Sequence, residues 1–485
     1  MLTLERWLEA LPAERLEASP LLTTYRAWVF TLVGDPVRAS QLAGSMAENL
    51  IKAGQEQPQA LLSLRAFLAV LHKQNYEEAI QLATMTLSVP DAESDPWRYA
   101  ALWVLAEAQE RTRPIDEAIA TLREATRSAP RRVSPIFRLM IHHNLAVDLN
   151  LSGRRSEALR QCLEALEDYR DDEGNTRPGG VVLLSRLASL YYEANQLNEA
   201  RALHEQSLAL AERLALPGTT LFIAGAAAQT FLALGETERA MRLIEQAHQS
   251  SKYSLVGDSW IQALETLLRL RQGDHSLLQP WIQAAGYGPD STPDYIQIEE
   301  HLTYARAMLA TGEDEAAHDW LSQLEAFTRE RSLQRWLLTT SILQAMLAER
   351  QRDRARTRQM QARAVRIAAP EQYIRAFLDE GEPLLRLLPT VRQEAPIFVD
   401  TVLDMADLDE NAWLLSAQPL DEPLSERELE VMQLITDGLS NKEIADRLVI
   451  AVSTVKRHIN NVYGKLNAQS RAQAIAKARS LGLVR

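Results

Sequence analysis

Basic and amide side chains recur at helical spacing near the end of the chain. Lys456, Arg457 and Asn460 fall on one face of a segment whose opposite face is apolar. Lys and Arg donate hydrogen bonds to guanine O6 and N7, and Asn pairs with adenine, so these residues could read base edges in the major groove of DNA. For the two basic residues considered alone, a solvated charged surface is an equally good interpretation.

Three further basic residues suit contacts with DNA phosphates. Lys442, Lys465 and Arg471 lie near predicted helix ends. Positive side chains and the N–H groups of helix N-termini both attract phosphate. We therefore expect these three residues to hold the segment on the DNA backbone.

Four helices are predicted between Leu424 and Leu483, and they must position these side chains. Ser425–Glu428 and Ser440–Glu443 have the spacing of capping boxes, so the first two helices begin there. Gly438 ends the first helix, because glycine tolerates the left-handed backbone that often follows a helix.

The third helix carries the polar face. Its apolar stripe consists of Val455, Ile459, Val462 and Leu466. This spacing predicts burial against the other helices. A last helix is predicted from Ser470, with an inner face of Ala474, Ala478 and Leu481. Two short helices joined by a tight turn, the second with a polar face, form a helix-turn-helix arrangement.

The stretch from Leu424 to Leu466 closely resembles the LuxR-type helix-turn-helix domain. The family pattern is visible in Gly438–Ala445, in Thr454–His458 and in Lys465–Leu466. The resemblance implies that the residues of the polar face read bases. It implies DNA-backbone contacts from Lys442, Ser453, Thr454, Lys465 and Arg471. It also implies double-stranded promoter DNA and RNA polymerase as partners, and a homodimer on DNA in which the last helix often mediates dimerisation.

Two residues depart from the LuxR-type pattern. Ala451 stands where a serine usually caps the recognition helix, so we expect a weaker cap or one supplied by Ser453. Asn467 replaces a common glycine. Because asparagine tolerates the left-handed backbone, we expect that turn to be kept.

The rest of the chain shows an internal repeat of about forty residues. A turn residue followed within about five positions by an alanine recurs inside helical periodicity. These alanines are Ala39, Ala79, Ala118, Ala158, Ala200, Ala240, Ala317 and Ala355. The interval from Ala240 to Ala317 is about twice the repeat length, and Leu278 lies near its middle. We infer nine helix pairs stacked into a superhelix like that of tetratricopeptide repeats (TPR), because one pair cannot bury its apolar face alone. A non-repetitive helical domain with chance alanines is the alternative.

These patterns predict an all-α chain of two domains and a linker. Residues 1–395 form the TPR-like sensor or interaction domain, residues 396–420 the acidic linker, and residues 421–485 the four-helix LuxR-type domain. The stretch from Thr401 to Glu422 has six acidic residues and no Lys or Arg, which is typical of a linker.

Charge and composition indicate where the chain works. The net charge is −13, but residues 441–485 contain nine Lys or Arg and two acidic residues, so residues 1–440 carry −20. An acidic body with a basic end indicates that nucleic acid binds at the end alone.

The single cysteine, Cys162, excludes an internal disulfide framework and is typical of a reducing cytosol. The most apolar stretch, Leu221–Leu234, is too short to span a membrane, and the N-terminus predicts an amphipathic helix rather than a signal peptide. We expect a cytoplasmic protein.

The residues before the LuxR-type segment resemble the large MalT-like ATP-dependent regulators. The repeat domain of that family is similar at its start to LERWLEALPAERLEASPLL and at its end to PEQYIRAFLDEGEPLLRLL of this chain. Such regulators usually begin with a P-loop domain, whereas the pattern G-x-x-x-x-G-K-[ST] is absent here. The chain therefore resembles their C-terminal half, as a natural short form, the product of a split gene or a truncation. Activation is the usual family role, and ATP control is not carried over.

Catalytic and metal sites are not predicted. Gly257–Trp260 is similar to a hydrolase nucleophile turn, but its flanks are helical and no triad is evident. His142 and His143 lack the spacing and partners of a metal site. We expect no catalysed reaction, no metal and no cofactor.

The residues support two functions of different classes. The first is a sequence-specific DNA-binding transcription regulator whose repeat groove senses a small-molecule inducer or a protein partner. The alternative is a TPR-like protein-interaction scaffold with a vestigial DNA-binding module. A vestigial module has no reason to keep an intact basic face, which favours the regulator.

Overall fold

The computed structural model consists of α-helices joined by short turns. It describes residues 19–33, 35–72, 74–89, 96–128, 135–214, 217–251, 257–288, 291–406, 424–436, 438–448, 450–466, 468, 471, 474–475 and 478. Within these ranges no β-strand forms, and an isolated antiparallel bridge pairs Arg170 with Thr176. The all-α prediction is confirmed. Among the described residues, no helix combines the length and apolar character that a membrane crossing requires.

Eighteen helices follow one another as nine pairs in the described part of the chain. The first five pairs are α1 (Pro20–Val33) and α2 (Pro36–Lys52), α3 (Gln59–Leu71) and α4 (Tyr76–Leu87), α5 (Pro96–Thr112) and α6 (Ile115–Ser128), α7 (Pro135–Leu151) and α8 (Arg155–Glu167), and α9 (Val181–Glu193) and α10 (Leu197–Leu214). The other four are α11 (Pro217–Ala233) and α12 (Thr237–Ser251), α13 (Gly257–Arg271) and α14 (Leu278–Ala285), α15 (Ile298–Thr311) and α16 (Asp314–Glu330), and α17 (Gln334–Arg350) and α18 (Arg354–Ala368). The nine units predicted from the repeat spacing are therefore present.

A small buried residue in the first turns of the second helix anchors most pairs. Seven of the eight predicted alanines, from Ala39 to Ala317, are fully buried. The prediction for Ala355 is wrong, because this residue is exposed. Asp353 caps α18 with its side chain, and the buried position four residues after that cap is Thr357. The cap fixes the residue at which a helix begins. That starting point decides which side chains of the first turn face the neighbouring helix.

The first helices of successive pairs form a continuous inner layer. Each odd-numbered helix from α1 to α15 packs on the next odd-numbered helix. The even-numbered helices from α2 to α16 pack on the two helices that flank them in the chain and cover this layer. Stacking of this kind buries apolar faces that no single pair could bury.

The segment after α18 returns to the fourth pair. Arg155 Nε donates to the Glu371 carbonyl at 2.6 Å, and the Glu371 carboxylate accepts from the Ser156 N–H at 2.6 Å. The hydroxyl of Tyr373 donates to the Asn150 carbonyl at 3.0 Å. Glu371 therefore caps the N-terminus of α8 from more than 200 residues away in the sequence.

Three short helices complete the repeat domain: α19 (Arg375–Leu378), α20 (Glu382–Leu385) and α21 (Pro396–Met405). The side chains of α21 that join the core are Phe398, Val399, Val402 and Leu403. The start of the predicted linker at residue 396 is therefore wrong, because α21 packs as part of the repeat domain. Residues 407–420 of that linker lie outside the described residues.

The C-terminal domain contains α22 (Glu426–Thr436), α23 (Asn441–Leu448) and α24 (Val452–Lys465). Its core is separate and is formed by Leu424, Val431, Met432, Leu434, Ile435, Ile444, Ala445, Val455, Ile459, Val462, Leu466, Ala468, Ala474 and Ala478. Ala474 and Ala478 are fully buried, as predicted for the last helix. The bounds of that helix, including Leu481, lie outside the described residues.

Candidate nucleic-acid interface

Two capping boxes begin the helices that support the interface. The Ser425 N–H donates to Glu428 Oε2 at 2.8 Å, and the Glu428 N–H donates back to Ser425 Oγ at 3.4 Å. Ser440 and Glu443 repeat this arrangement at 2.7 and 3.4 Å. Both boxes were predicted from spacing and are confirmed. They fix where α22 and α23 start, and hence where the following turn lies.

The turn into α24 is short. Ile450 N–H donates to the Ala445 carbonyl at 3.0 Å, and α24 begins at Val452. Ala451, with an extended backbone, gives this helix no side-chain cap. The usual serine is thus missing here, as the sequence indicated.

The buried face of α24 fixes its orientation. The predicted stripe of Val455, Ile459, Val462 and Leu466 is buried in the core of the C-terminal domain. Since side chains on opposite faces of a helix point in opposite directions, this stripe turns the polar face outward. The helix is therefore held by its apolar side and presents the other side to solvent.

The exposed face of α24 brings the predicted base-reading residues together. Ser453, Lys456, Arg457 and Asn460 are all exposed. Their spacing of three, one and three residues puts them on adjacent turns of one helix face. Thr454 beside them is half-buried. The arrangement can donate hydrogen bonds to base edges and phosphates over about two helical turns.

Lys442 is exposed in the first turn of α23. Its ammonium group is free to approach a phosphate from the side of the turn. A positive charge in such a position attracts DNA of any sequence.

Lys465 has a partner inside the domain. Its Nζ lies 2.9 Å from Glu428 Oε2, and both side chains are largely buried. Burial acts to raise the pKa of Glu428, but the Ser425 N–H, Lys465 and the Ser425 hydroxyl outweigh it and lower the pKa to about 2. Lys465 thus neutralises a buried carboxylate that also caps α22.

Arg471 also bonds within the domain. Its guanidinium donates to the carbonyls of Ile435 at 3.0 Å and Leu439 at 2.6 Å. These carbonyls lie where α22 ends, at the turn around Gly438, whose φ is +89°. Arginine at a helix C-terminus satisfies carbonyls that lack a helical partner.

Two further contacts were not foreseen from the sequence. Arg427 donates to the Leu448 carbonyl at 3.0 Å and so caps the end of α23. An arginine two residues after a capping serine is a weak signal for such a contact, because its acceptor is 21 residues away. His458 is half-buried, and the buried Nδ1 has no hydrogen-bond partner in the described structure.

The residues considered for catalysis and metal binding lie apart from this interface. Ser259 is inside the helix α13, and its hydroxyl donates to Glu300 at 3.1 Å. His142 Nδ1 contacts the Gln161 amide at 2.7 Å, and burial lowers the pKa of His143 to about 3. Among the described residues, no group of three His, Cys, Asp or Glu side chains could hold a metal ion.

Models of two protein families match the two parts of the chain. The family model described as "MalT-like TPR region" matches residues 59–394, more than half of the sequence. The chain belongs to the MalT-like TPR family. Residues 422–478 match the model of "Bacterial regulatory proteins, luxR family", which covers the capping boxes and the exposed face of α24.

Curated relatives of this MalT-like chain are named HTH-type transcriptional regulator MalT. The protein from Vibrio parahaemolyticus is 25% identical over 99% of this chain. Those from Vibrio campbellii and Serratia proteamaculans are 24% and 23% identical over the same share. The chain spans 56% of the length of each of the three.

Solved structures resemble the MalT-like chain more distantly. A human IFIT1 dimer with PPP-AAAA is 15% identical, with a TM-score of 0.43 over 82% of this chain and 85% of that one. A Rap protein complexed with competence and sporulation factor is 12% identical, with a TM-score of 0.34 over 94% and 99%. Likeness at this level carries no functional conclusion.

Proposed function

We propose that this chain is a cytoplasmic, sequence-specific DNA-binding transcription regulator that catalyses no reaction. The observation that carries the proposal is the exposed row of Ser453, Lys456, Arg457 and Asn460 on a helix whose opposite face is fixed in a core. The luxR-family match and the relatives named as transcriptional regulators support it. The residues assigned to base reading are Lys456, Arg457 and Asn460.

The assignments to the DNA backbone divide into two groups. Lys442, Ser453 and Thr454 are proposed to contact phosphates, because they lie at the turn or beside the reading face. The intramolecular bonds of Lys465 and Arg471 favour a positioning role for these two residues instead. They would hold α24 against α22 and contribute to DNA binding through that placement.

The repeat domain is proposed to sense a small-molecule inducer or a protein partner. Support comes from the inner layer, which borders partly open cavities lined by polar and aromatic side chains. Binding to promoter DNA as a homodimer, with RNA polymerase as the protein partner at the promoter, completes the proposal. A ligand could shift such a regulator only if it binds one arrangement of the chain more tightly than another.

The test is selection of DNA by the full chain from a library of random duplexes. A regulator should enrich one short motif. A homodimer should enrich two copies whose centres are one or more helical turns apart, about 10 base pairs per turn. A vestigial module in a scaffold should enrich no sequence, and that result would exclude the proposed function.

A further inference from the structure

Two cavities meet at Arg186 in the inner layer of the repeat domain. One has a volume of about 300 Å³ and the other of about 480 Å³. Arg186, Ser189 and Ala226 line both of them. Together these spaces are in the range of natural small-molecule sites, which are typically about 300–1,000 Å³.

The Arg186 guanidinium forms no hydrogen bond or ion pair within the described chain. Its Nε is buried and makes no hydrogen bond. The other arginines that line the first cavity are all paired: Arg335 with Glu193 at 2.9 Å, Arg271 with Asp379 at 3.2 Å and Arg306 with Glu380 at 2.5 Å. Arg186 is thus the exception in a wall where each other guanidinium has its own carboxylate.

Acids in and near the second cavity form no ion pair with Arg186 in the described chain. Glu107 and Glu110 each lie 2.6 Å from Arg111, which they share. Burial raises the pKa of Glu110 and of the neighbouring Asp148, the latter to about 8. His143, on the same wall, stays neutral because burial lowers its pKa to about 3.

Other polar groups around Arg186 are neutral or already engaged. Burial raises the pKa of the Cys162 thiol to about 12 and that of the Tyr295 hydroxyl well above its usual range. Glu299, on the wall of the first cavity, accepts from the Trp336 indole N–H at 2.8 Å and lies near Arg335. Arg186 is half-buried and its Nε is fully buried, and an arginine charge without a counter-ion is unfavourable in such surroundings.

We propose that the cavities at Arg186 bind a small organic anion, which presents a carboxylate or phosphate group to the guanidinium. The planar fork of arginine accommodates either group through two parallel hydrogen bonds. Ser185, Ser189 and Gln229 offer hydrogen-bonding groups for the rest of the ligand. The rings of Trp260 and Phe222, 5.3 Å apart, offer it an apolar surface. The proposal deepens the sensing role proposed above by naming the site and the chemical class of the inducer.

The test measures thermal unfolding of the full chain at constant ionic strength while sodium chloride is replaced by sodium phosphate or by sodium acetate. The unfolding midpoint of the wild-type chain should rise by about 1–3 °C in a saturable manner with at least one of these probes. Phosphate also stabilises proteins by exclusion from their surface, so the informative quantity is the difference between variants.

Arg186→Gln should lose the saturable rise and should unfold at the same or a higher temperature than the wild type in chloride, because it removes an uncompensated charge. Arg242→Gln is the matched control, since Arg242 is an exposed arginine of the same domain and should respond as the wild type does. A response to phosphate alone indicates a phosphate ester, and a response to acetate alone indicates a carboxylate.

Two results would overturn the proposal. One is an equal response of Arg186→Gln and wild type to both probes. The other is a lower unfolding temperature of Arg186→Gln in chloride, which would show that Arg186 serves the fold. DNA is absent from this assay, so failure here leaves the DNA-binding role untouched, and failure of the DNA selection leaves this result standing.

Discussion

The ammonium group of Lys465 lies 2.9 Å from the carboxylate of Glu428, 37 residues earlier in the chain. The two side chains are 18% and 5% exposed. Since Glu428 caps α22 and Lys465 ends α24, this ion pair joins the helix that carries Lys456 and Arg457 to the base of the domain. The basic residue at this position therefore joins α24 to α22 within the domain.

Lys465→Met should destabilise the C-terminal domain by about 3 kcal/mol, because it removes the ionic partner of a largely buried carboxylate. Hydrogen exchange of the amides in α22 and α24, measured in the full chain, should speed up accordingly. Lys442→Met, which changes an exposed lysine, is the control and should exchange as the wild type does. Adding Glu428→Gln to Lys465→Met should restore part of the protection. Wild-type exchange in Lys465→Met together with weaker DNA binding would instead favour a direct phosphate contact.

The stability of this domain should depend on pH through Glu428. Its pKa is lowered to about 2 in the folded chain, against about 4.3 in an unfolded one. A lowered carboxyl pKa stabilises the fold above the unfolded value, and this contribution is lost as pH falls from about 4.3 towards 2. After correction for intrinsic exchange rates, protection of α22–α24 should fall more steeply in wild type than in Glu428→Gln. Parallel pH profiles would show that the carboxylate contributes nothing.

Base reading should depend on the exposed face of α24. Arg457→Ala and Lys456→Ala should each cost about 1–3 kcal/mol in binding to the selected motif and relax the preference at one or two base pairs. Competition between the motif and point-substituted duplexes measures this loss. Arg242→Ala, in the repeat domain, should bind with full discrimination. Unchanged discrimination in both α24 variants would exclude these two residues from base reading.

Phosphate contact by Lys442 should show in the salt dependence of binding. Lys442→Ala should weaken binding to the motif and to random duplex alike, and should reduce the slope of log K against log salt by about one. Fluorescence anisotropy at several salt concentrations measures both quantities. A loss confined to the motif would identify Lys442 as a reader of bases.

Close packing in the inner layer should make Gly225 sensitive to a single methyl group. A Cβ at Gly225 would lie 2.5 Å from the Trp260 ring and 2.9 Å from Leu264. Gly225→Ala should therefore destabilise the chain by about 1–3 kcal/mol and lower its thermal midpoint. Gly44→Ala is the matched control within a helix, because nothing lies within 4 Å of its Cβ position and alanine favours helix by about 0.5–1 kcal/mol. A midpoint that rises for both variants would mean that Trp260 moves aside freely.

Local patterns predicted local structure well. The spacing of Ser425–Glu428 and Ser440–Glu443 marked helix starts, and the stripe from Val455 to Leu466 marked a buried face. These features depend on residues within one or two turns of each other, so the sequence contains all of the information. The repeat of buried alanines was predictable for the same reason, since each alanine lies within a few residues of the turn that precedes it. The prediction that Ala355 is buried was wrong, because the register of its helix depends on the cap Asp353, two residues earlier, rather than on the average repeat length.

Contacts between distant residues escaped prediction. The basic character of Lys465 and Arg471 suggested phosphate, whereas their partners are a carboxylate and two carbonyls on another helix. The helix α21 was assigned to a linker because acidic residues begin within it, although it packs on the turn Leu388–Glu394 and its Phe398 contacts Phe377 of α19. Partners of this kind depend on how helices meet in space, which periodicity does not encode. The unpaired Arg186 was missed for a related reason, since only the fold shows that no carboxylate reaches it.

A stack of helix pairs that touch only their neighbours behaves as a one-dimensional chain, in which either end can fray while the rest stays folded. The bonds from Glu371 to the start of α8, and from Tyr373 to Asn150, remove that independence, because they close a loop of more than 200 residues. The fourth pair and the segment after the ninth must then separate together. The middle and the end of the array become one cooperative unit, and fraying is left to the pairs that precede this unit.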